Sequence, residues 1–165
     1  MGSGLMATIK FVGFEDYAEQ IGKMAKNTDA IIKTAVYDGA AVMAKAFEEE
    51  LARIPVDDTT RWGTAENPMR GLRSRQKQGL IKSFGIASMR NENGFINVRL
   101  GFDGYNNIRS KKHPNGQPNA LIARSLEKGT SFMVKYPFSK MAIRNAKQQS
   151  IDAMQNTINE KIYSL

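Results

Sequence analysis

Two long stretches of this chain repeat apolar residues at three- and four-residue steps, the spacing that gathers them on one side of a helix. The first carries Ile32, Val36, Gly39, Met43, Phe47, Leu51 and Ile54 and is stopped by Pro55. Asn27, Thr28 and Asp29 precede it as a polar break with capping potential, so the pattern predicts a long helix ending at about Arg53. The second carries Ile143, Ala146, Ser150, Met154, Ile158 and Ile162 and predicts a final helix from Pro137 to about Tyr163. Core packing is the expected use of both stripes. Gly39, Ala40, Ala41, Ala44 and Ala46 leave little bulk along the first of them, so another element can approach closely there.

Shorter patterns lie around and between these helices. Thr8 to Val12 reads as a short strand, Gly13 as its turn, and Phe14, Tyr17, Ile21 and Met24 as the apolar side of a short helix. Ser83 to Met89 and Phe95 to Phe102 flank Asn91-Glu92-Asn93-Gly94 and predict a β-hairpin. In its second strand Ile96, Val98, Leu100 and Phe102 should face one way, with Asn97 and Arg99 facing the other. Asn119 is placed to cap a short helix through Leu121, Ile122, Ser125 and Leu126, which Gly129 can end in a left-handed conformation with Lys128 at its negative end. Phe132, Val134 and Tyr136 then alternate with Met133 and Lys135 as in a short strand, before Pro137 opens the last helix. The expected fold is α+β: a small antiparallel β-sheet packed against a long N-terminal helix and a long C-terminal helix.

The chain has 165 residues, 41% of them hydrophobic, which suits one domain with its own core. No internal repeat or linker divides it. No apolar run approaches the roughly 20 residues that span a bilayer, and no signal-peptide pattern is present, so a soluble chain with no membrane partner is expected. Met1 to Leu5 reads as an expression scar, with Met6 as the natural start of a domain over 6–165. With no cysteine, disulfides, thiolate metal sites and cysteine nucleophiles are excluded.

The net charge of +8 is unevenly spread. Met1 to Asp58 holds 6 basic and 10 acidic residues, Thr59 to Lys112 holds 11 and 3, and His113 to Leu165 holds 7 and 3. A basic middle can grip phosphate backbones, attract an acidic protein surface, or be a solvated face. Two segments concentrate it. The first, about 55–79, is a long polar connection, or a loop followed by a short helix, with Arg61, Trp62, Arg70, Arg73, Arg75 and Lys77. Its lone Trp62 is either a local anchor for the loop or an anchor in a partner interface. The second, about 104–118, is an exposed loop by its Asn, Gly and Pro content, with Arg109, Lys111 and Lys112 at the tip. The acidic run Glu48 to Glu50 sits where the helix dipole disfavours it; a solvated triplet is the favoured reading and a basic partner the alternative.

Little points to chemistry. His113, the one histidine, stands in KKHPNG with no nearby acid to orient it. Asp57 and Asp58 read as two solvated acids at a helix end, since a hard cation needs more oxygens than they supply. No GxxxxGK[ST] or GxGxxG occurs, and the basic residues lack the aromatic interleaving of single-strand binders. No catalytic, metal-binding or cofactor-binding residue is nominated.

Three segments carry a resemblance. GLIKSFGI, from Gly79 through Ser83 to Ile86, IARSLEKGTS, with Glu127, Gly129 and Thr130, and YPFSKMAI, with Pro137 and Phe138, follow one another at the spacing of the tailed-bacteriophage head–tail joining family. The resemblance covers Met6 to the C-terminus. It departs at Gln78, where the family has threonine, and at Ile122, where it has tyrosine. What it implies is a structural, non-enzymatic neck or tail-completion protein of a phage or prophage, made in the host cytoplasm and residing in the virion. Its expected partners are further copies of itself in a ring, head-side connector and tail-side proteins, and packaged DNA. A basic nucleic-acid-binding module is the second reading, and a hydrolase with its site between the loops the third.

Overall fold

The computed structural model describes residues 7–8 and 28–163. Among them, four helices and five short strands form an α+β fold. In chain order these are β1 (Ala7–Thr8), α1 (Thr28–Arg53), α2 (Ser74–Ser83), β2 (Phe84–Ile86), β3 (Arg90–Glu92), β4 (Phe95–Asn97), β5 (Arg99–Phe102), α3 (Asn119–Lys128) and α4 (Phe138–Tyr163). The expected helix over Phe14 to Met24 and the rest of its preceding strand lie outside the described residues.

The two long helices run antiparallel and form the spine. Ile31 and Ala35 of α1 meet Met154 and Ile158 of α4, and Ile162 packs beside them. The approach is close because α1 is small at the crossing. Ser150 donates its hydroxyl to the Gly39 carbonyl at 2.7 Å, and a Cβ placed on Gly39 would stand 2.5 Å from Met154 Cε. At the other end of the spine, Phe47, Leu51 and Ile54 of α1 join Leu72, Leu80, Leu100, Leu126 and Phe138 in the main core. Each such side chain contributes about 1.5–3 kcal/mol by leaving water. Phe47 stacks on Phe84 and meets Phe138 edge-on, while Phe102 packs against both Phe84 and Phe138.

The predicted hairpin forms, with a dislocation. β2 pairs with β5 so that Ile86 faces Leu100, and β3 pairs with β4 so that Arg90 faces Asn97. Between these pairs the first strand has one residue more than the second, a β-bulge at Ser88 and Met89 that splits the ribbon into two sheets. The larger has strand order β1-β5-β2, and all its pairs are antiparallel. Asn93 and Gly94, with φ of 55° and 88°, make the tight turn of the smaller. Val98 packs on Val36 and Ala40 with Ile96 beside it, so the apolar side of the hairpin faces α1 as expected. Asn97 departs from the alternation: it is buried, opposite Arg90 beside the bulge.

Five local expectations need correction. Asn119 is the first residue of α3, not its cap; Pro118 holds that position, and the Asn119 amide donates to the Asp103 carbonyl at 2.9 Å. No strand forms over 132–136. Instead Thr130 and Met133 exchange backbone hydrogen bonds at 3.0 and 3.3 Å in a tight turn that drives Met133 into the core. Gly129 ends α3 with φ of 73° but ψ of 164°, an extended conformation open to glycine alone. Glu48 and Glu49 are solvated as expected, whereas Glu50 is buried, receiving Arg53 at 2.7 Å and the Asn145 amide at 3.4 Å. The helix turn places Glu50 beside Leu51 on the side that α4 covers. Pro137, expected as the first helical residue, directly precedes α4.

Candidate functional site

The first basic segment is a loop over 55–73 that runs into α2, and its shape is set by two carboxylates. Asp57 Oδ1 accepts the Thr60 N–H at 2.9 Å and the Thr59 hydroxyl at 3.1 Å, while Oδ2 accepts the Arg70 N–H at 3.1 Å. The Thr60 N–H, then that of Arg70, holds its carboxyl well below the usual carboxylate range. Asp58 accepts both the hydroxyl and the N–H of Ser74, and these hold its carboxyl down in the same way at the start of α2. Of the two acids expected to be solvated, Asp58 is exposed and Asp57 is buried. In the run DDTT the Thr59 hydroxyl and Thr60 N–H fall within reach of Asp57, which folds back on its own turn, whereas Asp58 reaches forward to Ser74. Backbone bonds from Asp57 to Leu72 at 2.9 Å and from Leu72 to Pro55 at 3.0 Å close the base of the loop.

The cations of this segment divide by task. Lys77 donates to the Ala52 and Ile54 carbonyls at 2.7 and 2.8 Å, satisfying the open carboxyl end of α1. Arg73 donates to the Arg61 carbonyl. Both serve the fold, a task not expected for them from sequence. Arg61, Arg70 and Arg75 project their side chains into solvent. Trp62 is 76% exposed, so it does not anchor its own loop.

The second basic segment is organised by Asn106, a residue that sequence reasoning passed over. Its Oδ1 accepts the Ile108 N–H at 2.9 Å and the Gln117 N–H at 3.0 Å, and its own N–H reaches the Gln117 carbonyl at 2.9 Å. Ser110 and His113 exchange backbone bonds at 3.0 and 3.1 Å, so Arg109, Lys111 and Lys112 ride on a closed turn and are exposed. Gln76 of α2 meets Gln117 at 3.4 Å, which fastens this loop to the same helix that carries Arg75. The signals for both hubs were the local ones of Asp and Asn in turn-rich sequence.

An open cleft of about 490 Å³ lies between α2 and the start of the second loop, bordered by Arg75, Gly79, Lys82, Asp103, Asn106 and Asn119. Its carboxylate, Asp103, receives the Gly104 N–H at 2.7 Å, and no histidine lines it. Among the described residues no three His, Asp or Glu side chains gather as metal ligands. No helix among them is long and apolar enough to cross a membrane.

The residues of the three resembling motifs converge elsewhere. Glu127, buried near the end of α3, accepts the Ser139 N–H at 3.0 Å and so caps α4 from another helix. Tyr136 donates its N–H to the Leu126 carbonyl at 2.8 Å, closing the connection between these helices, and Phe138 is fully buried. Ser83 donates its hydroxyl to the Leu80 carbonyl at 3.0 Å at the end of α2, while Gly79 borders the cleft. No protein-family model, curated protein or solved structure matches the chain.

Proposed function

We propose that this chain is a structural, non-enzymatic head–tail joining protein of a tailed phage or prophage, a neck or tail-completion component that assembles as a ring in the virion. The observation that carries the reading is the convergence of the motif segments. Phe84 from the first and Phe138 from the third pack on the same two rings, Phe47 and Phe102, and Glu127 from the second caps the helix that Phe138 begins. A shared architectural task is what segments of fixed order and spacing would need, and this supports the reading. Copies of the chain, head-side connector and tail-side proteins are the proposed partners.

The test is the mass of the full chain, alone and mixed with portal-side and tail-side phage proteins. Defined rings, or a defined complex with either neighbour, are expected; a chain that stays monomeric in every mixture overturns the reading. Reversing the charge of Arg61, Arg70, Arg75, Arg109, Lys111 and Lys112 should impair assembly, without touching Arg73 or Lys77, which hold the fold.

A second reading, a basic nucleic-acid-binding module, is favoured by the exposed Arg109, Lys111 and Lys112 on one closed turn. Duplex binding by the isolated chain that weakens steeply with salt supports it; binding with a flat salt response removes it.

A further inference from the structure

The 55–73 loop and the connection between α3 and α4 together carry exposed apolar side chains that the fold does not use. Trp62 is 76% exposed, Phe132 49% and Val134 45%, and their backbones are neighbours. The Phe132 carbonyl accepts the Met69 N–H at 2.9 Å, and Val134 donates to the Met69 carbonyl at 2.8 Å. Gly63, next to Trp62, lies flush against that same Phe132 carbonyl, with no room for a Cβ. Large exposed side chains on pinned backbone are unusual for a surface that meets only water. The Asp57 and Asp58 bonds hold the loop before any partner arrives, which lowers the ordering cost of binding.

The exposed charges around this surface are mostly basic: Arg61, Arg70 and Lys135 against Glu66. A complementary surface is apolar and acidic, and this chain owns one. Along the solvent side of α1, Tyr37, Ala41, Glu48 and Ala52 fall on one stripe at helical spacing, with Glu49 beside it. Tyr37 is 43% exposed, and Glu48 and Glu49 are solvated. Lys45 is the cation on that stripe.

Resting on the ring-forming reading above, we propose that the Trp62, Phe132 and Val134 surface of one copy docks on the Tyr37, Ala41 and Glu48 stripe of the next. Arg61 and Arg70 then lie toward Glu48 and Glu49. Because the two surfaces differ, each copy keeps one free for a further neighbour, which is the requirement for closing a ring. Trp and Arg are the residues that most often dominate such contacts.

The experiment measures the mass of the full chain by light scattering across a concentration series, with circular dichroism to establish that each variant folds. Trp62→Ala, and separately Glu48→Lys with Glu49→Lys, should each raise the dissociation constant at least about tenfold. Mixing these two variants should give a 1:1 dimer, since the mixture retains one intact pair of surfaces. Lys45→Glu should tighten association, and Phe132→Ser should weaken it. Rings of unchanged stability in the Trp62 variant, a mixture that stays monomeric, or weaker association with Lys45→Glu overturns this interface. Rings that persist through these variants leave the ring-forming reading standing. An unaltered chain that stays monomeric alone and with its phage partners removes both.

Discussion

Along α1 and α4, position is fixed by side chains that exclude water from one another: Ile31, Ala35, Met154 and Ile158 meet across the crossing, and Gly39 admits Met154. In the 55–73 loop the same result is reached with polar groups, as Asp57 and Asp58 collect backbone N–H groups of Thr60, Arg70 and Ser74. The first arrangement is stabilised by area and fails when volume changes. The second is stabilised by a few directed bonds and fails when a carboxylate gains a proton. One protein thus holds its spine mainly by volume and places its presenting loop within the reach of pH.

Truncating the core beneath the spine should have the largest effect. Leu51→Ala is expected to cost about 2–5 kcal/mol in chemical denaturation, since Leu51 is fully buried in the cluster that holds Phe138, Leu72 and Leu126. Overfilling the crossing comes next. Gly39→Val should cost about 1–3 kcal/mol, part of it recovered by adding Met154→Ala, a coupling readable in a double-mutant cycle. Glu127→Ala leaves the Ser139 N–H without its acceptor and should cost about 1 kcal/mol, with amide exchange rising first in the opening turn of α4.

The smallest global effect belongs to the loop. Asp57→Asn removes the charged acceptor of the Arg70 N–H, so amide exchange at Arg70 should quicken severalfold while the melting of α1 and α4 stays in place. The pH dependence follows from the direction of the shift. The folded carboxyl lies below its unfolded value of about 4, so its contribution is complete above that pH and is lost as pH falls through the folded value. Loop protection should therefore hold from neutrality to about pH 4 and decline below it, a decline that Asp57→Asn reduces to the part carried by Asp58.

The spine was legible in the sequence because helical burial leaves a period. Val36, Met43, Phe47 and Leu51 on one helix and Ala146, Ser150, Met154 and Ile158 on the other announce their buried sides by spacing alone. The loop was not, because a carboxylate that bonds backbone has no period and resembles a solvated acid. Lys77 shows the same blindness: among arginines it read as a candidate contact residue, with no sign in the sequence that its ammonium also ends α1. The bulge at Ser88 and Met89 left no mark either, since alternation continues across it in Ile96, Val98 and Leu100 and only Asn97 breaks step. Trp62 was legible as notable and ambiguous in role; exposure decided against a local anchor.

The antiparallel spine also sets a timetable for biosynthesis. Gly39 and Ser150 are 111 residues apart, and Asp38, which receives the Thr157 hydroxyl at 2.6 Å, is 119 residues from its partner. At a synthesis rate of roughly 5–20 residues per second, the α4-facing side of α1 waits about 6–24 s for the segment that covers it. Ile31 and Ala35 spend that interval without Met154 and Ile158. The later helix α4 thus completes the earlier α1, and a message truncated before Ser150 yields a chain whose apolar stripe is left for chaperones and proteases to find.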